Sequence, residues 1–333
     1  MRKLLHLTLV TLFTGFSFAQ DIHWSQFNDN PIFQNPGNTG HFRGDIRFVG
    51  NYRDQWRSVT IPYNTISISV DANIQKMKHI GYGLMIFHDV VGDGQFRTIE
   101  VQGNISYLLK LSADSSHIIR PGINAGFNHR QLNFDQFYFD NQYDGLTYNP
   151  ALSSNENLQT DQKNNFNIGL GSIYQWYKNE RINITAGVGV FNLNRPNQGF
   201  YNTVVQRDIR ANIFARGIYK LNYDWDLVPS LHFSIQGKYR EFVLGSSVKY
   251  TLVNKLGAYR ALYAGLWYRT NDAAYISVGM DYQNWFVGVS YDINLSSLIP
   301  ASSGRGGIEI AIRYILNRFN PKKIVHRICP DYI

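Results

Sequence analysis

The sequence predicts an all-β protein: a transmembrane antiparallel β-barrel of about 14 strands, with periplasmic termini and long external loops. Three observations carry that expectation. The stretch "TISISVD", Thr65 to Asp71, sets Ile66, Ile68 and Val70 against Ser67, Ser69 and Asp71, the period of a half-buried strand. That alternation recurs in an even number of segments, each long enough to cross a bilayer. The polar side of these segments is Gly, Ser, Thr and Asn with sparse charges, whereas a water-facing sheet would carry Lys and Glu.

Composition agrees with strands and turns. Of 333 residues, 15% are aromatic, Tyr and Phe number 22 and 21, and there are 28 glycines. The net charge is +8, but the basic residues are scattered, with no Lys/Arg-rich block or helix, so nucleic acid is not an expected partner. The single cysteine, Cys329, leaves no disulfide framework, so the architecture must hold itself together.

Taken in order, residues 1–19 read as a signal peptide. Arg2 and Lys3 precede an apolar run from Leu4 to Phe18, and Ser17 and Ala19 stand at −3 and −1 of a cut before Gln20. No later apolar run approaches the length of a membrane helix, so an exported chain that spans a membrane does so with strands. Residues 20–44 follow. Positions 28–44 are rich in Asn, Pro and Gly, show no alternation, and cannot sit in lipid with their backbone groups unpaired. They are expected in the periplasm or folded into the lumen.

The barrel is expected over residues 45–316. Its strands are placed near 45–56, 64–73, 80–89, 96–110, 118–131, 165–177, 182–192, 207–221, 226–236, 240–252, 260–270, 274–282, 285–294 and 307–316. One face reads Ile99, Val101, Ile105 and Tyr107 in the fourth strand and Ile308, Ile310, Ile312 and Tyr314 in the last. The facing sets are Thr98, Gln102, Asn104 and Ser106, and Glu309 and Arg313. Tyr52, Trp56, Tyr177, Trp225, Tyr268, Tyr282 and Trp285 near strand ends suit interfacial girdles. The longest links, Leu132–Asn164, Asn192–Gln206 and Leu295–Gly306, all follow odd-numbered strands, as external loops should. Residues 317–333 form a basic periplasmic tail with Lys322, Lys323, His326 and Arg327.

Charges assigned inward are Arg47, Arg53, Arg210, Arg216, Lys249, Arg269 and Arg313 against Asp71, Glu100, Asp281, Asp292 and Glu309. So even a balance suits an occupied or closed lumen better than a selective pore. The external loop after the fifth strand carries Phe134, Phe137, Tyr138, Phe139, Tyr143 and Tyr148. Clustered aromatics serve a binding surface or pack the loop over the barrel mouth.

Catalysis finds little support. The histidines after the signal fall in no HExxH pattern, and GxSxG and paired-Cys motifs are missing from the sequence. His232 between Ser230 and Ser234 is ordinary lumen filling. "DNQYDG", with Asp140, Asn141 and Asp144, lacks the ligand count of a calcium loop. No cofactor or metal is expected.

Family-specific stretches stand at both ends. "WSQFNDNPIFQNPGNTG" and "NYRDQW" resemble the opening "QYSQY…NP…NPAYAG" and the "YRNQW" of the PorP/SprF family of outer-membrane proteins, associated with type IX secretion and gliding motility in Bacteroidota. "GLWYRTNDA", "VGVSYDINLSSL" and "ASSGRGGIEIAIRY" are similar to its closing strands, and Cys329-Pro330-Asp331 stands where it commonly ends in "CPR". The resemblance implies a non-enzymatic barrel supporting secretion or surface attachment of a specific large adhesin with a type B C-terminal sorting domain. It also implies translocon components and periplasmic peptidoglycan-linked or motor proteins as partners, beside outer-membrane lipid. The alternative from a different class is a passive uptake barrel for a hydrophobic or small polar solute.

Overall fold

The computed structural model describes residues 21–317 except 58–60, 75–76, 78, 93, 156–159, 201–203, 256 and 297–298. The expected signal peptide and nearly all of the expected tail, Cys329 included, lie outside the described residues.

Fifteen strands form one antiparallel sheet. The first seven are β1 (Ile46–Gln55), β2 (Tyr63–Asn73), β3 (Ile80–Val91), β4 (Phe96–Tyr107), β5 (Leu109–Lys110), β6 (His117–Gln131) and β7 (Gln162–Asn179). They continue as β8 (Ile182–Phe191), β9 (Arg210–Lys220), β10 (Trp225–Gln236), β11 (Tyr239–Lys255), β12 (Ala258–Arg269), β13 (Ala273–Tyr282), β14 (Trp285–Asn294) and β15 (Arg305–Leu316). β4 and β5 both pair with β6 and make one crossing interrupted at Leu108, so the wall has fourteen crossings plus this short extra strand. The sheet closes on itself, with β1 against β15 from Ile46↔Leu316 to Gln55↔Gly307. Closure pairs the last open edge, the condition for a sheet to survive in lipid.

Polarity is inverted relative to a soluble protein. Ile66 and Ile68 are 43% and 63% exposed, whereas Ser67, Ser69 and Asp71 are at most 2% exposed. β4 repeats the pattern residue by residue, with Ile99, Val101 and Ile105 outside and Glu100, Gln102 and Asn104 inside. The interior is a polar lumen with two small apolar clusters, Phe27/Val243/Tyr275 and Ile32/Met85/Phe87. Hydrocarbon, and not a packed interior, is what the isoleucine face meets.

Some expectations need correction. Trp56 and Tyr177 line internal cavities and do not face the girdle. Trp56 follows the end of β1 with a left-handed φ of 60°, which turns it from the outward row. Tyr177 shares the strand parity of buried Ile173. Trp225, Tyr268, Tyr282 and Trp285 do point outward. The second long loop runs to residue 209, beyond Gln206, because Arg207 leaves the ladder to bind inside the lumen. The first ends sooner, since β7 begins at Gln162.

The occupied lumen and the outer loops as candidate functional site

Residues 21–41 run through the lumen. Pro31 and Pro36 start two single helical turns, and Asn35 accepts from Gly37 N at 2.8 Å to cap the second. Proline at these positions sacrifices no needed N–H, and the turns use the backbone's own groups. The wall makes room with glycines. A Cβ on Gly122 would sit 2.5 Å from the Pro36 carbonyl carbon, and one on Gly37 would sit 2.4 Å from the Arg120 oxygen.

Ser25 is the first anchor. Its N–H donates to Glu309 Oε2 at 2.7 Å, and the Gln26 N–H donates to Glu309 Oε1 at 2.8 Å. Its hydroxyl donates toward Asp292 and accepts from Arg53 and Arg269, at 2.7–2.9 Å. Tyr275 donates to its carbonyl at 2.8 Å. Arg53 bridges Asp292 at 3.1 Å and Glu309 at 3.2 Å, with all three side chains buried. The stretches that carry the family resemblance, "WSQF", "NYRDQW", "GLWYR", "SYDIN" and "GGIEI", thus supply Ser25, Arg53, Arg269, Asp292 and Glu309 to one cluster.

The second anchor grips the segment's far end. Asp71 accepts from Gly40 N and from Arg47, each at 2.7 Å, and Arg47 also donates to the Asn38 carbonyl at 2.9 Å. Arg120 donates to the Gly40 carbonyl and to Asn73 Oδ1, each at 2.7 Å. A third set lies near the outer rim. Arg207 bridges Asp21 at 2.8 Å and Glu100 at 3.2 Å, and Arg210 lies 3.7 Å from Asp21. Arg313 bridges Asp29 and Asp281 at 3.1 and 3.5 Å. Lys249 lies 3.5 Å from Asp226, while Arg216 lines a small cavity beside Asp29.

Burial sets the ionisation of the segment. Burial and then the Arg53 charge push His23 well below the usual imidazole value, and burial, Arg120 and Arg47 do the same for His41. For Asp21 burial acts upward, but Arg207 and Arg210 outweigh it and hold the carboxyl well below its usual range.

The inward set inferred from alternation is therefore inside and largely brought together. Arg120 was missed although β6 alternation could have found it. Asp21 and Asp29 lie outside any periodic segment, whereas Arg207 falls at the start of the strand expected over 207–221, on the parity opposite to inward Arg210, so alternation does not place it inside.

In the long outer loop, Phe134, Phe137 and Phe139 are half-buried and chained ring to ring at 6.3 Å. Phe137 packs over Gly94 of the neighbouring turn. Tyr138 is 80% and Tyr143 56% exposed, with Leu146 at 87% beside them. Tyr148 meets Tyr138 edge to face at 4.7 Å between ring centroids. The phenylalanines of this loop thus pack, and its tyrosines face out.

A family model described as type IX secretion system membrane protein PorP/SprF matches residues 16–314. No curated protein matches the sequence. Among solved structures, the Pseudomonas putida toluene transporter TodX is 10% identical, with 88% of this chain and 94% of that chain covered and a TM-score of 0.51. The CymD monoaromatic hydrocarbon channel is also 10% identical, with 92% and 96% covered and a TM-score of 0.50. At such identity the likeness speaks to the outer-membrane barrel fold. With nine-tenths of its length matched and a closed fourteen-crossing barrel to carry it, the chain belongs to the PorP/SprF family of type IX secretion system membrane proteins.

Proposed function

We propose that this barrel is a docking station and not a conduit: it supports secretion or surface attachment of a large adhesin that carries a type B C-terminal sorting domain, with gliding as one setting. Residues 1–19 direct export and are removed, and residues 20–44 form the lumen-filling segment. Type IX membership implies translocon partners. The observation that carries the reading is the lumen segment held by Arg53, Asp292 and Glu309 beneath an outer loop that exposes Tyr138, Tyr143 and Leu146. A filled lumen leaves the outer loops as the surface a secreted client meets, and exposed tyrosines are common binding anchors. The basic residues Lys322, Lys323, His326 and Arg327 of the tail, 317–333, serve contact with peptidoglycan-linked or motor proteins. Deleting residues 136–160 is expected to abolish adhesin retention while the barrel still inserts. Unchanged surface adhesin overturns the reading.

A further inference from the structure

The outer half of the lumen holds a cavity of about 440 Å³ that loop docking leaves unused. Its floor is Ile22, His23 and Phe33 of the lumen segment, so it is a pocket and not a passage. The volume falls within the roughly 300–1,000 Å³ of small-ligand sites.

Its walls are chemically mixed in a specific way. Trp56, Phe87 and Phe96 supply aromatic surface. Most lining charges are spent: Arg53, Arg207 and Arg210 all have carboxylate neighbours. Asp89 and Arg130 are different: neither makes a direct ion pair among the described residues, although each feels the other's charge and Arg130 also those of Asp21 and Glu100. Asp89 accepts from Thr65 Oγ1 at 2.6 Å. Arg130 donates to Gln198 and lies over the Phe96 ring at 5.7 Å. Asn167 lines the same cavity at 2% exposure, and neither its amide nitrogen nor its amide oxygen has a partner. An orphaned buried amide is costly unless something completes it.

We infer that this cavity binds an aromatic side chain carried on a short piece of peptide backbone. The ring lies against Trp56, Phe87 and Phe96. Backbone amide groups complete Asn167, which offers both a donor and an acceptor. A cationic group meets Asp89, and a carboxylate meets Arg130. Taking that peptide from the client's terminal domain rests on the docking reading; the pocket's chemistry does not.

The probe is the zwitterionic dipeptide Ala-Phe, titrated into the full mature barrel in detergent by calorimetry, with Ala-Ala, N-acetyl-Ala-Phe and Ala-Phe-amide beside it. Saturable binding of Ala-Phe is expected, with Ala-Ala at least tenfold weaker. Amidation is expected to cost tenfold in the native protein and nothing further in Arg130→Met. Acetylation should behave likewise with Asp89→Asn. Should a variant fail to fold, the blocked probes on the native protein decide alone. Absence of Ala-Phe binding, or equal affinity for all four probes, overturns the pocket. In cells, Asn167→Leu separates the sources. Lost adhesin retention identifies the client as donor of the peptide. Normal retention, in a variant that no longer binds Ala-Phe, overturns the client as source, while the 136–160 deletion tests docking separately.

Discussion

The Ser25 hydroxyl lies 2.8 and 2.9 Å from the two carboxylate oxygens of Asp292, and these residues are separated by 267 positions in the chain. One comes from an aperiodic segment and the other from a wall strand. That contact, with Arg53, Arg269 and Glu309 around it, locks the lumen segment to the barrel.

Breaking the lock exposes its stored electrostatics. Arg53→Met leaves Glu309 without a cation while Asp292 keeps Arg269 at 3.2 Å, and orphaning a buried ion-pair partner costs about 3–5 kcal/mol. The wall, held by its ladders, is expected to survive while the segment loosens. Faster proteolysis within residues 21–44, with the barrel still resistant, is the measurement.

An intact lumen is expected to pass no ionic current in planar bilayers. Deleting residues 21–41 should create steady conductance, because the polar wall then surrounds water. A passive uptake barrel predicts the opposite for the native protein: current, or solute flux, without the deletion.

Acid is expected to release the segment. His23 and His41 bind protons in the docked state only well below their ordinary value of 6.5. The undocked segment therefore binds protons first, and docking is favoured above about pH 6.5 and weakens as pH falls below it. Openings in a bilayer recording should rise across that window. Replacing both histidines by Gln should flatten the response.

Gly122→Val drives a side chain into the Pro36 carbonyl. Close backbone packing has no slack to absorb it, so the segment is expected to be displaced. The protease sensitivity described for Arg53→Met should appear here with the ion network chemically intact.

Outside the barrel, Tyr138→Ala with Tyr143→Ala is expected to weaken adhesin binding at least about 30-fold, at about 2 kcal/mol for an anchor residue of a binding surface. Phe137→Ala should act differently. It loosens the loop from Gly94 and shows first as loop proteolysis. Flow cytometry of surface adhesin beside loop cleavage separates the two.

Much of the fold is legible in the sequence. The period-two pattern marks every one of the fourteen crossings, since lipid on one side and a polar lumen on the other force alternation along each strand. The same parity placed Arg47, Asp71, Glu100, Asp292 and Glu309 inside. Parity does not reach Trp56, which sits beyond its strand on a left-handed turn, nor Arg207, which lies in a loop.

The amino-acid order alone determined a lipid-facing barrel, its crossings and the side of the wall each strand residue takes, because those follow from local period and the intolerance of hydrocarbon for unpaired backbone. Only the tertiary structure decided that Ser25 meets Asp292 and Glu309, that Asp21 meets Arg207, and that the lumen is filled. Those contacts join positions hundreds of residues apart, and barrel closure, not any local pattern, brings them within a hydrogen bond.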